Sequence, residues 1–260
     1  MVRLLMMIVL TISIITGLFV PDAVADKPAR RILVFCAGGL RKPVEALSKD
    51  FEAQQGVSVE ISYDGSNTLL SQIKLNRKGD IYIAGDAGYI ETAQKDSLVK
   101  ESVRLCWFVP VIIVKKGNPL KVKTLADLTK TGVKIGQADA KTAAVGRVMP
   151  RILSLNGVDS AAWSKNVVLV TTMVNELAVA VKLGSIDAAV VWSAIASNYK
   201  DVADQVLVPF EKNIIPEAGA AVLRFSKDSD AASRYLQFLM SPQSRAVFSA
   251  NGYVVDKPIK

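Results

Sequence analysis

The sequence predicts an α/β protein of two lobes joined by two crossover segments, with a ligand cleft between the lobes. Three observations carry this. Strand-like and helix-like stretches alternate nearly to the end of the chain, the pattern of α/β folds with mainly parallel sheets. An apolar run at residues 105–114 contains Pro110, which favours an edge or a bend and marks a first passage into a second unit. A second passage, at residues 206–210, returns the chain to the first. Two lobes tied in this way form a cleft that closes on a ligand by hinge motion.

Residues 32–36 form an apolar strand, and a helix follows over 42–55 with Val44, Leu47 and Phe51 on one face and Gly56 closing it. In the second strand, Val57, Val59, Ile61 and Tyr63 alternate with polar residues, the period of a half-buried strand. Gly65 ends the alternation. Ser66 then stands where an N-cap belongs, ahead of Leu69, Leu70 and Ile73 at helical spacing. Residues 80–84 are the third strand, followed by a helix over 87–96. Beyond the first passage come a turn at 125–128, a strand at 133–136 and a helix over 142–155. A strand at 167–170, a helix over 174–183 and a strand at 186–192 complete that unit. After the second passage, residues 218–225 and helices over 229–240 and 242–250 rejoin the first. The expected division is therefore 26–107 with 208–260 as lobe I and 108–207 as lobe II.

Residues 1–25 have the form of a signal peptide. Arg3 supplies the positive start, residues 4–20 are apolar and uncharged, and Pro21 breaks the run before the small-x-small site Ala23-Val24-Ala25. The alternative is an uncleaved anchor, since the run approaches spanning length. Cleavage would export residues 26–260.

The chain carries 32 basic and 24 acidic residues, a net charge of +8 that loss of Arg3 and Asp22 leaves unchanged. The basic residues are scattered, with no dense cluster interleaved with aromatics, so nucleic acid is not an expected partner. The field instead assists capture of small anions. There is no histidine, which removes the commonest general base and the commonest metal ligand together. Cys36 and Cys106 are too few for a zinc cluster. They form either one disulfide in an oxidising compartment or two buried strand-borne thiols.

Asp80 and Asp86 bracket the third strand, as an acid–base pair or, more simply, as a strand-end residue and a helix N-cap. No nucleophile elbow, phosphate loop or dinucleotide fingerprint accompanies them. A binding role without cofactor or directly bound metal is expected, rather than an enzyme.

Four junctions share one design, in which a strand ends, small residues turn the chain and a helix begins. They are Ala37-Gly38-Gly39-Leu40, Gly65-Ser66-Asn67, Thr142-Ala143-Ala144 and Thr171-Thr172-Met173-Val174. Ligands of parallel α/β sheets lie beyond the carboxyl ends of the strands, where such helix N-termini gather. Each terminus carries roughly half a positive charge, so several together balance an anion without lysine or arginine. The alternative is four ordinary strand-to-helix turns.

Several segments resemble the periplasmic molybdate-binding proteins of ABC importers. They are Val34-Phe35-Cys36-Ala37-Gly38-Gly39-Leu40, Tyr63-Asp64-Gly65-Ser66-Asn67-Thr68-Leu69-Leu70 with Gln72-Ile73, and Gly79-Asp80-Ile81-Tyr82-Ile83-Ala84-Gly85-Asp86. The ending Ser241-Pro242-Gln243, Phe248 and Gly252-Tyr253 extends the resemblance over essentially the whole exported chain. It implies the type II periplasmic binding protein fold, a periplasmic monomer, and a tetrahedral oxyanion ligand. Molybdate leads, with tungstate second, and an inner-membrane ABC permease is the partner.

Members of that family hold the oxyanion with two serines, backbone N–H groups and a tyrosine hydroxyl. Carried over by position, one serine falls on Ser66, and the backbone donors fall on Ala143 and Val174. The first-loop serine falls on Gly39 and the tyrosine on Trp192. Gly39 keeps only its N–H, and the Trp192 indole donates one hydrogen bond and accepts none. These departures leave room for a different oxyanion or a small organic anion, and transport and sensing roles both stay open. Arg41 is either a solvated surface side chain or a charge turned inward. Asp64 is expected to face out or to pair with a basic side chain, since an inward carboxylate opposes an anion.

Overall fold

Each lobe is built on one five-stranded sheet. The computed structural model describes residues 30–256, so the expected signal peptide lies outside the described residues. In the first lobe, β1 (Arg31–Ala37) runs parallel to β2 (Ser58–Asp64) and β3 (Ile81–Ala84). Helices α1 (Arg41–Gln55) and α2 (Ser66–Asn76) make the connections. The chain leaves α1 at Gly56, whose φ of 62° is left-handed and lets its N–H reach the Glu52 carbonyl at 2.9 Å. Next come α3 (Ala87–Lys95) and β4 (Val99–Trp107). The late strand β10 (Glu217–Leu223) inserts between β3 and β4, for the order β2-β1-β3-β10-β4.

The second lobe has the order β7-β6-β8-β5-β9. Its strands are β5 (Pro110–Lys115), β6 (Ile135–Ala138), β7 (Val167–Thr171), β8 (Ala188–Trp192) and β9 (Ala203–Leu207). Its helices are α4 (Ala144–Leu155), α5 (Ser160–Lys165), α6 (Val174–Leu183) and α7 (Ser193–Ser197). Helices α8 (Ser229–Leu239) and α9 (Pro242–Ala250) return to pack on α1.

The two-lobed α/β architecture agrees with expectation, with differences in the strands. The run at 105–114 is two strands rather than one. β4 belongs to the first sheet and begins at Val99, where charged and polar residues hide it from a search for apolar runs. β5 begins on Pro110, a position that needs no ladder N–H, and lies between β8 and β9 inside its sheet. Phe108 and Val109 carry the chain across. β9 still pairs with β5, so the return passage is 208–216 rather than 206–210.

The sheets are mixed rather than mainly parallel. Every antiparallel pairing between these strands involves β5 or β10, the strand entered directly after each passage, and a lone antiparallel bridge joins Trp107 of β4 to Val254. The remaining pairings are the parallel ones, formed by the strand–helix–strand units.

Cys36 on β1 and Cys106 on β4 are free and buried. β3 and β10 lie between their strands, a separation of roughly 14 Å at one strand spacing per step, about twice the reach of a disulfide. Of the two alternatives, the buried thiols are the observed one. Burial pushes both thiols up from their ordinary range.

Candidate ligand-binding site

The carboxyl ends of β1, β2, β6, β7 and β8 lead to helix N-termini that surround one cavity between the lobes. All four junctions reach it. Gly39, Ser66, Ala143, Val174 and Trp192 line it together, with Gly85 and Phe108 completing the wall. The room for centres of water-sized spheres is about 20 Å³, little more than the 10–15 Å³ that one water needs. Only a compact group fits.

The helices divide into two sets by how they begin. The short 3₁₀ turn Gly38–Leu40 that leads into α1 and helices α2, α4 and α6 start at the cavity, on N-caps Ala37, Gly65, Ala143 and Met173, none with a side-chain cap bond. Helix α7 also starts there, on Trp192 without a side-chain cap bond, but its Ser193 N–H is taken by the Val109 carbonyl at 2.8 Å. Helices α3, α5, α8 and α9 start elsewhere. Their N-caps Asp86, Asp159, Asp228 and Ser241 each accept an N–H of the first turn. An uncapped start leaves backbone donors unsatisfied at the positive end of the helix dipole, and this is the chemistry of an anion site.

Ser66 is not the N-cap. Gly65 holds that position, and Ser66 is the first residue of α2, 1% exposed. Its Oγ accepts the Gly85 N–H at 3.1 Å, so its own hydroxyl hydrogen is left to donate towards the cavity. Ala143 lines the cavity, but its N–H donates to the Asp139 carbonyl at 3.0 Å. The donors left over at that corner are those of Ala144 and Val145. Among the described residues, the N–H groups of Gly39, Ser66, Val145 and Val174 have no protein acceptor.

Among the described residues, no lysine or arginine lines the cavity. Arg41 is exposed and stacks its guanidinium over the Tyr63 ring, 4.0 Å from the centroid, so the surface alternative holds. Asp64 departs from expectation. It lines the cavity, pairs with no basic side chain among the described residues, and accepts the Gly65 N–H at 2.6 Å. That bond takes up one oxygen of the carboxylate at the edge of the site.

The simpler reading of Asp80 and Asp86 also holds. Asp80 accepts from the Leu33 and Lys227 N–H groups and from the Ser226 hydroxyl. Asp86 caps α3 through Gly88 and pairs with Arg147 of the other lobe. Among the described residues, no group of three or more His, Cys, Asp or Glu could hold a metal ion.

Trp192 is 2% exposed and stacks on Phe108 with ring centroids 4.6 Å apart. A buried indole N–H normally has an acceptor. Trp163 follows that rule, donating to Gln137 Oε1 at 2.6 Å. For Trp192 Nε1, no protein acceptor is present among the described residues, and the ring lies on the cavity wall.

Contacts across the mouth hold the lobes together. The Asn67 N–H donates to the Thr142 carbonyl at 3.0 Å, and Asn67 Nδ2 donates to the Lys141 carbonyl at 2.6 Å. Lys42 Nζ donates to Asn198 Oδ1 at 2.7 Å. Gly65 is required here, because a Cβ would lie 2.5 Å from the Thr142 carbonyl oxygen and 2.8 Å from that of Thr172. Sequence reasoning missed Gly85, Phe108 and these bridging contacts. Gly85, directly after the third strand, carried the one local signal, a fifth small residue at a strand end.

Comparison with known proteins agrees with the two-lobed fold. Residues 32–254 match the model of a family described as bacterial extracellular solute-binding protein. A Haemophilus influenzae protein, provisionally named as a binding protein without a stated ligand, is 27% identical over 88% of this chain and 93% of its own. The molybdate-binding protein ModA of Mycobacterium tuberculosis is 25% identical over 86% of this chain and 85% of its own. Among solved structures, the sulfate-binding protein SubI of the same organism superposes with a TM-score of 0.79 at 17% identity. That alignment covers 87% of this chain and 88% of SubI.

Proposed function

The chain belongs to the bacterial extracellular solute-binding proteins, and we propose that within that family it captures a tetrahedral oxyanion, molybdate or tungstate first. In this reading the protein is periplasmic, is released from a cleavable signal peptide, and delivers its ligand as a monomer to an inner-membrane ABC permease. Its role is binding, without catalysis. The observation that carries the reading is the set of uncapped helix starts converging on one small cavity with no basic side chain in its lining among the described residues. Such a site neutralises charge with fixed N–H groups and discriminates by radius, since a preorganised cage has little room to adjust.

Ser66 Oγ and the N–H groups of Gly39, Val145 and Val174 are the proposed donors, Trp192 Nε1 joins them, and Ala143 shapes the wall. The named ligand of the ModA relative supports molybdate, and the cavity volume argues against a bulky organic anion.

The test is thermal unfolding of the exported chain with molybdate, tungstate, sulfate and phosphate in turn. The expected result is stabilisation by molybdate and tungstate well above that by the other two. A response to sulfate or phosphate alone would reassign the ligand within the oxyanions. No response to any of the four would reject the reading. Native mass spectrometry of protein purified without added ligand gives an independent answer, through the mass it carries.

A further inference from the structure

The first-loop glycine and the tryptophan of β8 are separate positions in sequence and one arrangement in space. A Cβ at Gly39 would lie 3.1 Å from both Cδ1 and Nε1 of Trp192 and 3.5 Å from Cζ of Phe108. A Cβ at Gly85 would lie 2.7 Å from Cε2 of Phe108. The stacked Phe108–Trp192 pair therefore rests on two glycines of the first lobe: a Cβ at Gly85 forces the Phe108 ring to shift, and one at Gly39 requires the Trp192 ring to give by a few tenths of an ångström. The arrangement is tied in at its back. Phe108 packs on Tyr253 with centroids 5.6 Å apart, and the Tyr253 hydroxyl bonds the Gly39 carbonyl.

These four residues come from three parts of the chain. Gly39 and Gly85 lie in the first lobe, Phe108 in the first passage and Trp192 at the end of β8. The indole is almost wholly buried, lines the cavity, and has no protein acceptor for Nε1 among the described residues.

We propose that Phe108 and Trp192, seated on Gly39 and Gly85, form a single specificity wall that sets the size of oxyanion the cavity accepts and supplies one indole donor to it. The wall rests on the oxyanion reading above for its ligand, but its internal coupling stands without one. A hydroxyl side chain at position 39 and a tryptophan at position 192 compete for the same space. The missing serine hydroxyl is thus the steric counterpart of the indole. The wall replaces a flexible hydroxyl by a rigid, flat ring, so a ligand of different radius meets a surface that does not retreat.

The test is a double-mutant cycle of Gly39→Ser and Trp192→Phe in the exported chain. Two quantities are read: ligand-free unfolding temperature, and calorimetric affinity for molybdate, tungstate and sulfate. Gly39→Ser alone is expected to lower the ligand-free Tm by about 2–10 °C through overpacking. In the Trp192→Phe background the same change should cost much less, because the smaller ring vacates the space. Trp192→Phe alone should weaken molybdate binding about 5- to 100-fold through the lost donor, and should narrow the molybdate-to-sulfate preference.

Strictly additive Tm shifts would overturn the coupled wall, and so would an unchanged ion preference in Trp192→Phe. Should Gly39→Ser fail to fold, Gly39→Ala in both backgrounds carries the same cycle. Failure of the parent chain to bind any of the three ions rejects the ligand reading, while the ligand-free Tm cycle still decides the coupling.

Discussion

The two sets of helix starts differ in one respect that separates function from stability. At α3, α5, α8 and α9 a carboxylate or hydroxyl side chain satisfies the first turn, and those donors are closed to anything else. At the turn Gly38–Leu40 and at α2, α4 and α6 the corresponding positions are alanine, glycine, alanine and methionine, and the first turn opens onto the cavity. A good cap typically contributes about 1 kcal/mol. Leaving four such starts uncapped at one place forgoes stability where backbone donors are needed. Under the proposed function, helix ends at this cavity serve an incoming group, and ends elsewhere serve the fold.

The strongest way to break this contrast is to close the mouth. Gly65→Ala places a methyl against the backbone oxygens of Thr142 and Thr172, which belong to the other lobe and cannot swing aside as side chains do. Oxyanion affinity should fall by about 3 kcal/mol or more, two decades in Kd, through loss of the closed state. Calorimetry reads the affinity, and small-angle scattering should report a more open chain in the presence of molybdate. Affinity within twofold of the parent would mean that lobe closure does not depend on this approach.

Ser66→Ala is next. Its hydroxyl caps nothing, so removal should act mainly on the ligand, weakening molybdate by about 1–3 kcal/mol. The freed Gly85 N–H adds some loss of stability, which a ligand-free melt measures separately. A fall in Tm with affinity unchanged would make the hydroxyl purely structural.

The capped set predicts the opposite signature. Ser241→Ala removes the acceptor of the bond that the Ser244 N–H donates to the Ser241 hydroxyl oxygen and should cost about 1 kcal/mol of stability in denaturant unfolding. Molybdate affinity should not change. A parallel loss of affinity would erase the distinction between the sets.

The smallest effect concerns acid. The Arg30 guanidinium, helped by the Ala231 N–H, lowers Asp228 from its ordinary 3.8 to about 2. A carboxylate depressed in the folded state contributes stability above its unfolded value and loses it as pH falls through the folded one. Stability carried by the α8 cap should therefore decline between about pH 4 and pH 2. Asp228→Asn should flatten that part of the pH profile, and an unchanged slope would assign the acid sensitivity elsewhere.

The regular parts of this molecule were legible because their signals are local. Helix α6 over Val174–Leu183 and helix α9 over Pro242–Ala250 follow from apolar spacing and, at α9, from a serine before a proline. The first half of β4 was hidden because its Lys100, Glu101 and Arg104 give no apolar run, and its strand identity comes from β10, more than a hundred residues later. The five site residues reach one cavity, yet the partners of two of them could not be foreseen. The acceptor role of Ser66 towards Gly85 crosses between strand ends, and the Asp139 carbonyl takes the Ala143 N–H through a loop turn. The contact between Gly39 and Trp192 joins two lobes and has no trace in local spacing.

Both cysteines of the chain sit in the first sheet, on β1 and β4, and the second sheet has none. With each thiol buried and held in its protonated form, an alkylating reagent finds little thiolate while that lobe is folded. The natural chain thus carries a built-in clock for one lobe only. Pulse alkylation would time the opening of the first sheet without an introduced label, and tryptophan fluorescence of a Trp107→Phe variant, whose remaining Trp163 and Trp192 both lie in the second lobe, would time the other.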